Sequence, residues 1–324
     1  MKRIAPAVTL FFLGPFVAEF LLGNLPITTL PALIVLAPMY GGGALLIRES
    51  VRRVGRGWPS ILVLGLAYAV LEEAFTTQTL FNPNYLKLNL HLVDHAYIPW
   101  LGMGAWWTIF VLTLHVVWSI GVSIALAEAL VPDRETTPWL ARRGLVVTAL
   151  VFGLGIAITT AMTLHGDRYI APVQNLVSAG IVVALLVALA FWMPNRAAEG
   201  SGTAPSPWVV GAAGLVAGSA FLVVPPTWNW WAVLSYLVLF AVTAALVWRW
   251  SSNRTEWTQM HRLCLGGGAA LAYAWHAFPQ PPVLPAVPAV DLAGNAICAV
   301  VLLVILTTAV RRIRRQKANL TSTR

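Results

Sequence analysis

The stretch from Trp58 to Phe81 reads WPSILVLGLAYAVLEEAFTTQTLF, and it decides the fold class of this chain. It is mostly apolar and longer than the roughly 20 residues that a helix needs to cross a bilayer. It also carries two adjacent carboxylates, Glu72 and Glu73, which are costly to place inside a membrane. The stretch therefore predicts a transmembrane helix that contains a polar functional site.

The composition of the whole chain agrees with this interpretation. Of its 324 residues 58% are hydrophobic and only 10% are charged, and the mean hydropathy is +0.75. A soluble protein of this length needs a far larger polar surface, so soluble, disordered and collagen-like classes are excluded. The only two cysteines, Cys264 and Cys298, lie in apolar runs, so their positions indicate neither a structural disulfide nor a thiolate metal site.

Ten segments of the chain are long and apolar enough to be predicted as transmembrane helices. The sequence therefore predicts an all-α fold, a polytopic integral membrane helix bundle of about ten helices. The segments run from Ile4 to Gly23, Pro26 to Ile47, Trp58 to Phe81, Leu101 to Val131, Gly144 to Leu164, Ala171 to Met193, Trp208 to Val224, Trp230 to Trp248, Leu263 to Phe278 and Ala289 to Val310.

The basic residues predict the orientation of this bundle. The net charge is +9. If successive connections alternate between the two sides of the membrane, all the lysines and arginines except Lys87 and Arg168 fall on the same side. The positive-inside rule makes that side cytoplasmic, so both termini are predicted to be cytoplasmic. Because the charges mark helix ends, they indicate a lipid bilayer and not a nucleic acid as partner. The excess of arginine over lysine favours a bacterial source, hence the cytoplasmic (inner) membrane of a bacterium.

This orientation leads to a labelling prediction. A cysteine introduced at Asn89 is expected to react with a membrane-impermeant thiol reagent added outside intact cells, because the connection after the third segment is predicted to face outward. A cysteine at Ser201 is expected to react only after the membrane is opened. The reverse pattern would contradict the ten-helix topology.

The segments divide into two predicted groups. Residues 1–193 form a six-helix membrane part that carries most membrane-embedded ionisable residues, and residues 208–310 form a four-helix part. Between them, residues 194–207 contain three prolines and a Gly-Ser-Gly run, which is typical of a flexible cytoplasmic linker. Residues 311–324 are predicted to be a basic cytoplasmic tail.

Ionisable residues inside the membrane are the candidates for function, because each is costly there unless it is paired or useful. At 1.5 Å per residue, Glu73 lies about 12 Å and Glu19 about 8 Å from the outer ends of their helices. His115, counted from a tryptophan belt on the fourth segment, lies about 12 Å deep. Because the depths match, we expect Glu72, Glu73 and His115 to lie within reach of one another, in a cavity open to the outside.

Helical spacing places hydroxyl groups beside these residues. The Glu72 face offers more hydroxyls than the Glu73 face, and two carboxylates so close together should not both ionise freely. We therefore expect Glu73, in the drier surroundings, to carry out proton transfer, and Glu72 to contribute mainly to packing. The predicted polar stripes are Tyr68, Glu72, Thr76 and Thr79, with Glu73 and Thr77 beside them, and Thr108, His115, Ser119 and Ser123 on the fourth helix.

The adjacent glutamates followed by a membrane-embedded His115 resemble the first two motifs of the CAAX-processing and bacteriocin-processing (CPBP-type) intramembrane proteases. By this resemblance Glu72 or Glu73 would be the general base that activates water, and His115 would hold the water or stabilise the oxyanion. Thr77 stands where that family has arginine and Val111 where it has phenylalanine. No His-x-x-x-Asn motif follows, which leaves the third histidine open.

Three function classes follow from these residues. The first is an intramembrane peptidase that acts on a membrane peptide. The second is a channel or a transporter coupled to protons or cations that moves a small solute, with Glu19, Thr76, Thr77, Thr108 and Ser119 along the substrate or ion path. The third is a partner subunit without chemistry of its own. No cofactor is required by the sequence, although a divalent metal bound by glutamate and histidine is compatible with it, and the oligomeric state is left open.

Overall fold

The computed structural model describes residues 4–194, 203–252 and 256–322. Ten helices run through the described residues, one in each predicted segment. Where a π-helical run continues an α-helix without a break, the two share one label. They are α1 Ala5–Phe20, α2 Ala32–Arg53, α3 Trp58–Thr76, α4 Ala105–Ala129, α5 Arg142–Asp167, α6 Val173–Trp192, α7 Pro207–Leu222, α8 Trp230–Ser251, α9 Gln259–His276 and α10 Pro288–Ser322.

Seven helices in the described part of the chain are long and apolar enough to cross a membrane, namely α2, α3, α4, α5, α6, α8 and α10. α1 and α7 are apolar but shorter. The predicted all-α membrane class is confirmed. α10 continues through the basic residues after Val310, so most of the predicted tail is helical. Residues 195–202 of the predicted linker lie outside the described residues.

The helices on either side of the predicted linker share one hydrophobic core. Trp118 of α4 stacks on Tyr273 of α9, with ring centroids 4.4 Å apart. Phe221 of α7 packs against both Trp118 and Tyr236 of α8. The first six and last four helices are therefore in direct contact through buried aromatic rings.

Two runs of three glycines allow the backbones of neighbouring helices to come into direct contact. A Cβ built on Gly41 of α2 would lie 1.7 Å from the carbonyl oxygen of Phe11 in α1. A Cβ on Gly268 of α9 would lie 2.0 Å from the carbonyl oxygen of Gly211 in α7. Such small-residue contacts are a common way for membrane helices to associate.

A cluster of buried charges joins α2 to α4 at the arginine-rich end of the bundle. The Glu128 carboxylate accepts from the Arg52 guanidinium at 2.8 Å and from Arg48 Nε at 3.1 Å. Arg48 also donates to Glu49 at 2.5 Å, and its guanidinium lies 3.5 Å from the centroid of the Trp139 ring. The predicted second segment ends at Ile47, which would place Arg48 and Arg52 in a connection. Both are instead buried in the bundle, because the Glu128 and Glu49 carboxylates neutralise them.

The long connection between α3 and α4 folds over the end of the bundle. A two-stranded antiparallel ribbon, β1 Tyr97–Ile98 and β2 Met103–Gly104, leads into α4. The Ala96 amide donates to the Asn229 side chain, 3.0 Å away in the connection before α8. Leu92 is buried in protein. The segment therefore ties the ends of distant helices together.

Candidate functional site

The candidate residues lie on π-helical runs inside three of the membrane helices. Glu19 belongs to the run Phe16–Phe20, the glutamate pair opens the run Glu72–Thr76, and His115 lies in the run Leu114–Val122. A π-turn adds one residue to a helical turn, which breaks the α-helical hydrogen-bond pattern, and such turns are frequent at functional sites. All three helices are thus distorted where they carry their ionisable side chains.

The His115 imidazole lies between two carboxylates, one at each ring nitrogen. His115 Nε2 is 2.7 Å from Glu73 Oε1, and His115 Nδ1 is 3.3 Å from Glu72 Oε2. The predicted proximity of these three side chains is confirmed. Glu72, Glu73 and His115 are only 1%, 4% and 5% exposed. The prediction of a cavity open to the outside is therefore wrong for this structure, because packing of the bundle encloses all three groups.

Glu73 is the better hydrogen-bonded carboxylate of the two. Its Oε2 accepts from the Thr77 hydroxyl at 3.0 Å and also from the Thr79 hydroxyl. Trp107 of α4 in turn donates to the Thr79 oxygen at 3.0 Å. These contacts fix the Glu73 carboxylate, and its bond to Nε2 holds the imidazole in one orientation.

The predicted division of hydroxyl groups between the two glutamates is wrong. α3 ends at Thr76 instead of continuing to Phe81, and Gln78 has a φ of 57°, so the chain turns sharply there. The turn brings Thr79 to Glu73 instead of to Glu72. The α-helical spacing used to assign hydroxyls to each glutamate does not hold across a π-turn, and it does not hold beyond the end of a helix.

Glu72 has an unpaired oxygen in a buried polar environment. Its Oε2 meets no hydrogen-bond criterion in the described residues, and its ion-pair contact is His115 Nδ1, 3.3 Å away. The Thr76 hydroxyl also has no hydrogen-bond partner among the described residues, and the Tyr68 hydroxyl lies close to the Glu72 carboxylate. Ser119 Oγ lies 3.3 Å from His115 Nδ1. Buried polar groups are nearly always paired, so unpaired ones beside His115 Nδ1 are suited to hold a water molecule.

Two tyrosines enclose the imidazole, and sequence reasoning missed one of them. Tyr40 of α2 stacks on the His115 ring at 6.0 Å between centroids, and Tyr68 meets the ring edge-on at 5.9 Å. Tyr40 also donates to Glu19 at 2.6 Å, and the other Glu19 oxygen accepts from Asn24 at 2.6 Å. Glu19 is therefore linked to the centre through the Tyr40 ring. The position of Tyr40, directly before three glycines, was the available signal.

Other predicted residues lie apart from the centre. The Thr108 hydroxyl donates to the carbonyl of Gly104, the residue before α4, at 2.8 Å, and its place on an ion path stays a prediction. Two further histidines, His165 of α5 and His276 of α9, are loose candidates for the third histidine of the resemblance, and no hydrogen bond or ion pair among the described residues joins either to the centre. A third histidine is thus missing from the site as described.

The cluster could also hold a metal ion. In the described ranges, one group of three potential metal-binding side chains brings one ligand atom from each residue within 4.8 Å of the others. The group consists of Glu72, Glu73 and His115. An ion bound at His115 Nδ1 and Glu72 would leave Glu73 on Nε2, the usual arrangement in which a carboxylate orients a metal-bound imidazole. Metal binding stays a prediction.

Comparison with known proteins defines the family. The model of a family described as "Uncharacterized membrane protein family" matches residues 8–315. The CPBP-type proteases are not matched, so that resemblance stays a prediction. Neither the curated proteins nor the solved structures contain a match. Because the match covers nearly the whole chain, the protein belongs to this uncharacterized membrane protein family.

Proposed function

We propose that the protein is an intramembrane hydrolase of the bacterial cytoplasmic membrane that cleaves an amide bond of a membrane peptide with glutamate-activated water. The observation that carries the proposal is the unpaired, buried Glu72 oxygen beside His115 Nδ1. A water molecule there would find an acceptor in Glu72 and further partners in Ser119 and the imidazole. A general base must lie within hydrogen-bond reach of the proton that it removes.

The reaction follows from these positions. Glu72 takes a proton from the water, and the water oxygen bonds to the carbonyl carbon of the substrate. The buried Tyr68 hydroxyl, which lies close to the Glu72 carboxylate, is suited to donate to the oxyanion of the tetrahedral intermediate. The carbon–nitrogen bond then breaks, and the leaving amine receives the proton held by Glu72. The proposal reverses the roles expected from the sequence: Glu73 acts through His115 by holding the ring, which makes it a positioning residue.

The second candidate function is proton-coupled transport, and one feature of α4 favours it. Below His115 the buried residues Ser119, Ser123 and Glu128 follow one another toward the arginine-rich end. Such a row of polar groups is the kind of path that a proton relay uses. The test below is therefore designed to separate hydrolysis from proton movement.

The proposal predicts that Glu72→Gln abolishes hydrolysis while the fold is retained. Glutamine keeps the shape of the side chain but cannot accept the proton of the water. Losing a general base typically costs about 10²- to 10⁴-fold in rate. Purified protein in liposomes would be incubated with a library of membrane peptides in ¹⁸O-labelled water. New carboxyl groups that carry ¹⁸O would be measured by mass spectrometry, and melting by tryptophan fluorescence.

Glu135→Gln is the matched control, because Glu135 pairs with Arg262 away from the site. Glu73→Gln is expected to lower hydrolysis less than Glu72→Gln does, since glutamine can still bond to His115 Nε2. A pH-sensitive dye trapped in the same liposomes reports proton flux. Proton flux that requires Glu72, without ¹⁸O-labelled products, would support the transporter and contradict the hydrolase. If Glu72→Gln loses neither hydrolysis nor proton flux, the partner-subunit function is favoured.

A further inference from the structure

A cavity at the arginine-rich end of the bundle is separate from the Glu72 and His115 centre. It has a volume of about 480 Å³ and lies between the first turns of α1, the end of α4 and the basic part of α10. Its lining includes Pro6, Leu130, Val131, Arg134 and Arg312. We propose that this cavity binds the headgroup of an anionic phospholipid.

The charges around the cavity favour an anion. Arg134 and Arg312 line it, against the single acidic side chain of Asp133. Arg312 donates to the Leu130 carbonyl at the end of α4, which holds its guanidinium at the cavity wall. The guanidinium group has further N–H donors in a planar fork that matches a phosphate.

The loop that carries Arg134 is held in place by the buried charge cluster. The Arg134 carbonyl accepts from Arg48 at 3.2 Å and from the Trp139 ring nitrogen at 3.1 Å. The backbone of Arg134 is therefore fixed before any ligand binds. A preformed site loses less conformational entropy on binding than a mobile one.

The apolar part of the lining makes a phospholipid the better occupant than free phosphate. Ala5, Pro6, Leu130 and Val131 contribute carbon surface next to the arginines. Free phosphate gains nothing from such surface, whereas the glycerol and first methylene groups of a lipid do. Basic pockets between helices at the membrane surface bind lipid headgroups in this way.

Further cations surround the cavity on α10. Arg311, Arg314, Arg315 and Lys317 lie on the same helical extension as Arg312, and they are not part of the lining. They attract anionic lipids to the surface without forming a pocket. This distinction provides a control with the same charge change on the same helix.

The test measures lipid retention by the full chain. Protein in nanodiscs of phosphatidylcholine with a minor fraction of phosphatidylglycerol would be transferred to detergent and examined by native mass spectrometry. Retention of one phosphatidylglycerol in preference to phosphatidylcholine is expected. Arg312→Gln is expected to lower that preference about fivefold, since one arginine near the surface contributes about that factor, and Arg314→Gln to lower it much less.

Two further arms decide the location and the chemistry of the site. Thr9 lines the cavity and is exposed, so Thr9→Trp is expected to fill it and reduce retention without changing charge. Millimolar inorganic phosphate is expected not to displace the lipid. Equal losses in Arg312→Gln and Arg314→Gln, full retention in Thr9→Trp at unchanged melting temperature, or displacement by phosphate would each overturn the proposal.

Discussion

Replacing Gly268 with alanine is expected to destabilise the bundle by about 3 kcal/mol or more, a large effect for one added methyl group. The added Cβ would lie 2.0 Å from the Gly211 carbonyl oxygen and 2.8 Å from the Leu215 backbone nitrogen. Both atoms belong to the α7 backbone, so the two helices would have to move apart. The intrinsic preference of alanine for helices, worth about 1 kcal/mol over glycine, is too small to compensate.

Gly266 provides the matched control on the same helix. A Cβ there would lie 3.2 Å from the Ala125 methyl group, which a small shift relieves. Gly266→Ala is therefore expected to change the melting temperature little, and the same contrast is expected between Gly41 and Gly42. Thermal unfolding in detergent, followed by tryptophan fluorescence, measures the difference. Similar melting of both alanine variants of α9 would show that α7 and α9 do not approach this closely.

Removing the charge of Glu128 is expected to cost about 3–5 kcal/mol, because it removes the carboxylate that Arg52 and Arg48 share and leaves Glu49 as the remaining carboxylate partner of Arg48. Glu128→Gln keeps the size of the side chain, but an amide cannot neutralise Arg48 and Arg52. Arg48 is fully buried, and Arg52 is 8% exposed. Water therefore cannot replace the lost partner without opening the contact between α2 and α4.

The control for this prediction is Glu135→Gln, since the pair of Glu135 with Arg262 is partly exposed and such pairs contribute about 0–1 kcal/mol. Replacing Arg52 as well, in an Arg52→Met, Glu128→Gln double variant, is expected to recover part of the loss. The midpoint of denaturant-induced unfolding is the measurement. If Glu128→Gln and Glu135→Gln unfold at the same midpoint, the cluster at Glu128 does not stabilise the bundle.

The meeting of Glu73 and His115 was predicted by counting residues from the assumed helix ends, and the structure places these side chains 2.7 Å apart. The count itself does not describe the structure, because it took Phe81 as the end of α3 and the helix ends at Thr76. The partners of each carboxylate could not be predicted, because the π-turn and the early end of α3 change which side chains follow Glu73.

The sequence by itself determined the membrane class and the positions of ten helices, because apolar length and the low charge content leave no other fold open to this chain. Tertiary structure alone decided which groups pair. Arg48 and Arg52 carry the same charge as the arginines of the tail, yet they are buried because Glu128 lies opposite them. Likewise Glu72 keeps an unpaired oxygen and Glu73 does not. The periodicity of a sequence describes the faces of one helix, whereas the pairing of polar side chains depends on how neighbouring helices pack.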